Sequence, residues 1–300
     1  MRHSRRALGI ASLLALLLLA CLTVPAQAAT TPYDGCGGKE KIWAGGSRFT
    51  CVFTDDFSGT TLDRSKWEVT LTETDGFHSG WECFMDDPAT VGVRDGALNL
   101  TTTTVDPFMC GVFGSRFPSS WPSGQVTTRD RLEIVRGRVE VRAAFIQGPG
   151  VGLHSAIWMW PTDSKRYGPW PASGEIDIAE YFSSVPDRVF PFIHYMSARP
   201  DRNATSARCR VRDPGAFHTY TLTWTTRTMT VAVDKRTCLR DTWRPAAPLK
   251  SPAPFDQPFY LVLTQALGRV DGQNPFQPGV TQLPATMQVD SVYVWSQPPA

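Results

Sequence analysis

Glu175, Asp177 and Glu180 set three carboxylates within six residues, with only Ile176, Ile178 and Ala179 between them. Apolar and charged side chains interleaved in this way read as a strand with one buried face and one open face. In a regular strand Glu175 and Asp177 share a face, whereas Glu180, five positions from Glu175, points to the other. One extra residue, a β-bulge around Ile178 and Ala179, restores the phase and turns all three acids to one side. The Cα atoms of Glu175 and Glu180 then stand roughly 13 Å apart at the usual rise per residue, and side chains leaning together narrow the gap between carboxyl groups. A gap of about 5 to 5.5 Å suits double-displacement cleavage of a glycoside, in which one carboxylate attacks the anomeric carbon and the other protonates the leaving oxygen. Asp177 lies between two like charges, and such crowding raises the pKa of at least one member, as a proton donor near neutral pH requires. Two plainer readings share the pattern: a solvated acidic face, and an oxygen-rich site for a hard cation such as calcium.

The surroundings narrow the choice. Trp170-Pro171-Ala172-Ser173-Gly174 runs directly into the acids, and the whole unit resembles the signature of glycoside hydrolase family 16, in the bulged form of its laminarinase-like (endo-β-1,3-glucanase) branch. The resemblance implies that Glu175 is the nucleophile, Glu180 the acid/base and Asp177 the residue that positions and tunes them. Further phrases carry the likeness in order over roughly residues 51 to 296: Cys51 to Gly59 with Trp67, Val135 to Ala143, His154 to Pro161, Val189 to Tyr195, Phe217 to Tyr220, Phe255 to Leu263 and Pro284 to Asp290.

The elements that must position the acids read as strands. Ala97 to Thr102, Arg138 to Arg142, His218 to Trp224, Met229 to Val233 and Met287 to Val294 alternate apolar and polar residues between Gly- and Pro-rich turns, and no segment after residue 28 sustains a helical period. An all-β, single-domain β-sandwich of jelly-roll type is expected. Family likeness adds a concanavalin A-like pair of curved sheets, the concave one forming a cleft for an extended sugar chain. The expected divisions are 1–28 as an export signal, 29–50 as an irregular N-terminal arm pinned by Cys36, and 51–300 as the sandwich.

At the N-terminus, Arg2, Arg5 and Arg6 precede an apolar run from Leu13 to Leu19 and a small-residue site at Ala26-Gln27-Ala28, the pattern of a bacterial secretory signal. The apolar run is too short to span a bilayer well. Ser4 to Leu8 partly imitates a twin-arginine signal, and Leu18-Leu19-Ala20-Cys21 partly imitates a lipobox that would acylate Cys21. Of 7 cysteines, the 6 beyond the signal suggest disulfides in an exported chain. Six cysteines allow 15 pairings, among which neighbouring pairs, Cys36 with Cys51, Cys83 with Cys110 and Cys209 with Cys238, are preferred because each closes a short loop, and the absence of CxxC spacing speaks against zinc. The sequon Asn203-Ala204-Thr205 reads as accidental beside a bacterial signal. A net charge of +2 gives no basic patch for nucleic acid.

Sugars stack on aromatic faces while their hydroxyls need polar rims, and the chain has 10 Trp. Trp170 is the first candidate for a sugar platform, and Trp158, which shares a strand face with Trp160, the second; Trp67, Trp224 and Trp295 read as core. His194, across from the acids on the next strand, is either a partner for a carboxylate or sugar hydroxyl or a satisfied structural group; His218 reads as structural. Arg129 precedes the strand that leads into the cleft and can reach it. Gln265 lies where laminarinase-like proteins often carry Asn on a cleft strand, a departure that bears on substrate choice. No cofactor is expected, a structural calcium ion elsewhere on the sandwich being a family trait without an acidic loop to announce it. The expected partner is a polysaccharide, met by a monomer with no membrane contact beyond an anchor at Cys21. Alternatives are a glycan transglycosylase of the same family and a non-catalytic lectin-like module. No G-x-S-x-G elbow, H-E-x-x-H pair or Walker loop occurs.

Overall fold

Nearly every stretch of period-two alternation forms a strand in the computed structural model, which describes residues 35–145, 150–269 and 271–297. The expected signal at 1–28, including Cys21, lies outside the described residues. A nine-stranded sheet runs in the order β1 (Lys41–Ala44), β2 (Ser47–Asp55), β21 (Ala285–Ser296), β12 (Gly137–Ala144), β17 (His218–Trp224), β18 (Met229–Val233) and β19 (Arg236–Asp241), with β6 (Ala97–Thr102) beside β21 and β5 (Val91–Arg94) beside β6. An eight-stranded sheet runs β16 (Cys209–Arg210), β15 (Arg188–His194), β14 (Glu175–Phe182), β13 (Leu153–Pro161), β20 (Phe259–Leu267), β10 (Gln125–Thr127) and β3 (Glu68–Val69), with β11 (Glu133–Ile134) also on β20. Two short pairs, β4 (Cys83–Phe84) with β9 (Pro122–Ser123) and β7 (Phe108–Cys110) with β8 (Phe117–Ser119), complete the curled all-β sandwich, a jelly roll. Among the described residues no helix is long and apolar enough to cross a membrane.

The two sheets face each other across one core. Ile157 and Met159 of β13, Ile176 and Ile178 of β14, Leu261 and Leu263 of β20 meet Val139 and Val141 of β12, Tyr220, Leu222 and Trp224 of β17 and Val292 and Val294 of β21. Trp67, Trp224 and Trp295 are buried, as expected of core residues, and Trp67 and Trp295 keep their indole N–H groups satisfied by Asp55 Oδ2 at 2.8 Å and the Lys39 carbonyl at 2.6 Å. The three neighbouring cysteine pairs are all disulfides. One expectation changes: the stretch ahead of residue 51 is not an irregular arm throughout, because β1 and β2 form a hairpin whose second strand pairs with β21, so Cys36–Cys51 staples sheet and not a loose leader.

Candidate active site

The bulge lies where the strand phase requires it. On β13, Trp158 opposes Asp177 while Ile157 opposes Ala179, leaving Ile178 without a partner; on β15, Phe192 opposes Asp177 and Phe190 opposes Glu180. Two residues of β14 thus face one on each neighbour, and Glu175, Asp177 and Glu180 all line one groove of about 450 Å³ on the open face of the eight-stranded sheet. Gly174 sets the entry into β14 with φ of +85°, a conformation costly for any residue with a Cβ, which here would also sit 2.8 Å from Phe255 Cε1. The preceding loop is tied down by Ser173, whose carbonyl accepts from Gln257 Nε2 at 2.9 Å and whose hydroxyl accepts from the Tyr167 N–H at 3.0 Å. That loop delivers Trp170, whose indole Nε1–H donates to Glu175 Oε2 at 2.6 Å.

The carboxylates share a second set of partners. His194, the cross-strand neighbour of Glu175, brings its Nε2 to 3.0 Å from Asp177 Oδ2 and stacks on Phe192 at 4.0 Å between centroids. His154 brings its Nε2 to 3.2 Å from Glu180 Oε1 and stacks on Phe182 at 4.6 Å. Burial raises Glu175, the Trp170 N–H pulls it back and the charge of Glu180 adds to the rise, leaving it near 7. Asp177 is pushed well above the ordinary carboxylate range by its complete burial and then by Glu175 and Glu180. Burial lowers His194, partly offset by Glu180, so its imidazole is neutral at neutral pH.

A raised Glu175 taken alone would suit a proton donor. Two facts favour the opposite assignment: the indole N–H on Oε2 stabilises the anion, and the residue driven hardest to stay protonated is Asp177, so the proton of the buried pair belongs there and Glu175 carries the charge. Glu175, Asp177 and His194 also offer ligand atoms within 4.8 Å of one another, the sole such trio among the described residues, so any cation bound by side chains of this kind would compete with the chemistry of the acids themselves.

Residues 77–275 match the family described as Glycosyl hydrolases family 16. The chain belongs to that family. It is 33% identical over 263 residues, 82% of its length, to a glucan endo-1,3-beta-glucosidase A1 of Niallia circulans, and 28% identical over 256 residues to a keratan-sulfate endo-1,4-beta-galactosidase of Sphingobacterium multivorum. It spans 38% of the length of the first and 56% of the second. Among solved structures it resembles a non-specific endo-beta-1,3(4)-glucanase of the same family, with a TM-score of 0.69 and 29% identity over 83% of this chain and 92% of that one.

Within this family 16 chain, four of the residues singled out from sequence stand at the groove. Trp158 lines it, its Nε1–H donating to Thr264 Oγ1 at 2.9 Å, which in turn donates to Gln125 Oε1 at 2.7 Å, and Gln125 Nε2 donates to Thr70 Oγ1 at 2.9 Å. Trp170 leans over Glu175 with 56% of its surface exposed, free to present a face to a sugar ring. His194 faces Asp177. Arg129 lines the groove too, but its guanidinium is held by Glu68 at 2.8 Å and Asp75 at 3.5 Å. The fifth, Gln265, is corrected: its side chain is wholly buried and accepts from Ser155 Oγ at 2.6 Å. Alternation decides this, since Thr264 and Val262 take the groove face of β20 and Gln265 therefore points between the sheets. His218 is structural as expected, bonded to Asp234 at 2.6 Å. Sequence reasoning passed over His154, Gln125 and Thr264. The signal was present on β13: once Trp158 faces the groove, Ala156 and His154 must share its face.

Proposed function

We propose that this family 16 chain is a secreted, retaining endo-glycoside hydrolase that cleaves β-1,3 or mixed β-1,3/1,4 glucan by double displacement, acting as a monomer without a cofactor. The observation that carries the reading is the bulge that turns Glu175, Asp177 and Glu180 into one groove with Trp170 donating to Glu175. The glucan-acting names of two of the relatives above support the substrate class. The Arg-rich start, the Ala26-Gln27-Ala28 site and three disulfides support export.

In the first half-reaction, Glu175 attacks the anomeric carbon, the bond from that carbon to the glycosidic oxygen breaks, and the proton of Glu180 passes to the leaving oxygen. Glu180, now a carboxylate, takes a proton from an incoming water, which attacks the same carbon and releases Glu175. Two inversions return the β configuration. Asp177, whose burial favours its protonated form, adds no second charge to the groove while Glu175 carries one. Trp170 and Trp158 offer flat apolar faces to sugar rings, and the Thr264, Gln125 and Thr70 chain offers hydroxyl and amide groups to sugar hydroxyls.

Reducing-end release from laminarin, lichenan, agarose, carrageenan and xyloglucan tests the substrate class, the galactans being included because one relative acts on keratan sulfate. Laminarin or lichenan should be cleaved, with the β-anomer appearing first by proton NMR. Glu175→Gln should fold normally and lose at least about 1,000-fold in kcat; undiminished hydrolysis by that variant, or first release of the α-anomer, would end the proposal.

A further inference from the structure

We propose that His154 is a positioning residue for the proton donor: it holds one oxygen of Glu180 through Nε2–H and leaves the other to deliver the proton. The inference rests on Glu180 being that donor. His154 opposes Phe182 on β14 and lies diagonal to Glu180 on the same face. Its ring is parallel to that of Phe182, with an interplanar angle of 1° and centroids 4.6 Å apart, a stack that favours this orientation of the imidazole. Its Nε2 is buried and closes no well-aligned hydrogen bond, although Glu180 Oε1 stands 3.2 Å away. A buried donor left open beside a carboxylate is costly, and a small turn of the carboxylate removes that cost. Hydrogen bonds of this sort in a free enzyme are often poorly aligned and tighten when the reacting group is in place.

The chemistry gives the contact a purpose. When Glu175 bonds to the anomeric carbon, the bond from that carbon to the leaving oxygen breaks and the Glu180 proton moves to that oxygen, so the negative charge passes from Glu175, now an ester, to Glu180. An imidazole N–H donating to Oε1 stabilises that anion as it forms and fixes the orientation of Oε2 toward the leaving group. The second histidine of the groove cannot do this, because His194 is engaged with Asp177. The groove therefore pairs each histidine with a different carboxylate: His194 with the one that stays protonated, His154 with the one that gives its proton away.

The test compares His154→Phe, which keeps the stack on Phe182 and removes both ring nitrogens, with His154→Gln, whose amide N–H reaches to about the position of Nε2. Each is assayed on laminarin and on a pair of aryl β-laminaribiosides, one with a 4-methylumbelliferyl and one with a 2,4-dinitrophenyl leaving group. Help from the proton donor is needed for the poor leaving group of a glucan and hardly at all for dinitrophenolate. His154→Phe should lose on the order of 10- to 100-fold in kcat on laminarin with KM within about 2-fold, and less than about 3-fold on the dinitrophenyl glycoside. His154→Gln should regain most of the laminarin rate. Equal losses on all three substrates, failure of Gln to outperform Phe, or full activity of His154→Phe on laminarin would each overturn the assignment. A wild-type protein that cleaves none of the glycans removes the function proposed above and this inference with it, whereas an active wild type with any of these three failed patterns removes the inference alone.

Discussion

Trp170→Phe isolates the contact that selects Glu175 as the charged member of the groove. The substitution keeps an aromatic face and deletes a single donor, the Nε1–H that lies 2.6 Å from Glu175 Oε2. A hydrogen bond to a charged group contributes about 1.5 to 3 kcal/mol, and since Trp170 is 56% exposed, water replaces part of it, so about 1.4 kcal/mol, or one pKa unit, is a fair expectation. The sign follows from which form the bond favours. The N–H stabilises the carboxylate, so its loss raises the pKa of Glu175 from about 7 toward roughly 8. Because the nucleophile must be ionised, the acid limb of kcat/KM against pH moves upward by the same amount. At pH 6 the ionised fraction falls about ninefold, whereas at pH 9 it changes by about a tenth. Reducing-end release from laminarin between pH 5 and 9 gives the profile directly. A uniform loss across the whole range would mean that Trp170 serves sugar binding only, and a downward shift of the acid limb would refute the assignment of charge to Glu175.

Other expectations follow from the same contacts. Asp177→Asn should raise the melting temperature at pH 8 and leave it nearly unchanged at pH 4, measured by calorimetry: a carboxyl whose folded pKa is raised costs stability as pH climbs from its unfolded value through its folded one, and Asn has no proton to lose. Gln265→Ala should lower stability by about 2 kcal/mol in urea titration while KM for laminarin holds, because its side chain meets Ser155 and not the groove; a raised KM with unchanged stability would restore it as a sugar contact. Gly174→Ala should destabilise by about 1 to 3 kcal/mol and reduce kcat, since the added carbon meets the Phe255 ring and displaces the backbone next to Glu175.

Much of this protein is written in residue type and order. The period-two alternation specified strands, and the spacing of Glu175, Asp177 and Glu180 demanded a bulge, because a strand without one would divide the acids between two faces. Nearness along the chain favoured one of the 15 disulfide pairings, the one the fold contains, and Trp224 and Trp295 were read as core within alternating strands. Tertiary structure alone decided what stands opposite what. Gln265 was misread because its face depends on the phase of β20 against β13, a relation between strands more than 100 residues apart in sequence, as in the Ser155 and Gln265 pairing with its separation of 110. His154 was passed over for the same reason: its meaning lies in a contact with Glu180, 26 positions away, that exists only after two strands pair. The charges, too, were settled by the fold. Sequence gives three like carboxylates, and the depth at which each is buried, with an indole beside one and an imidazole beside each of the other two, makes them chemically unlike.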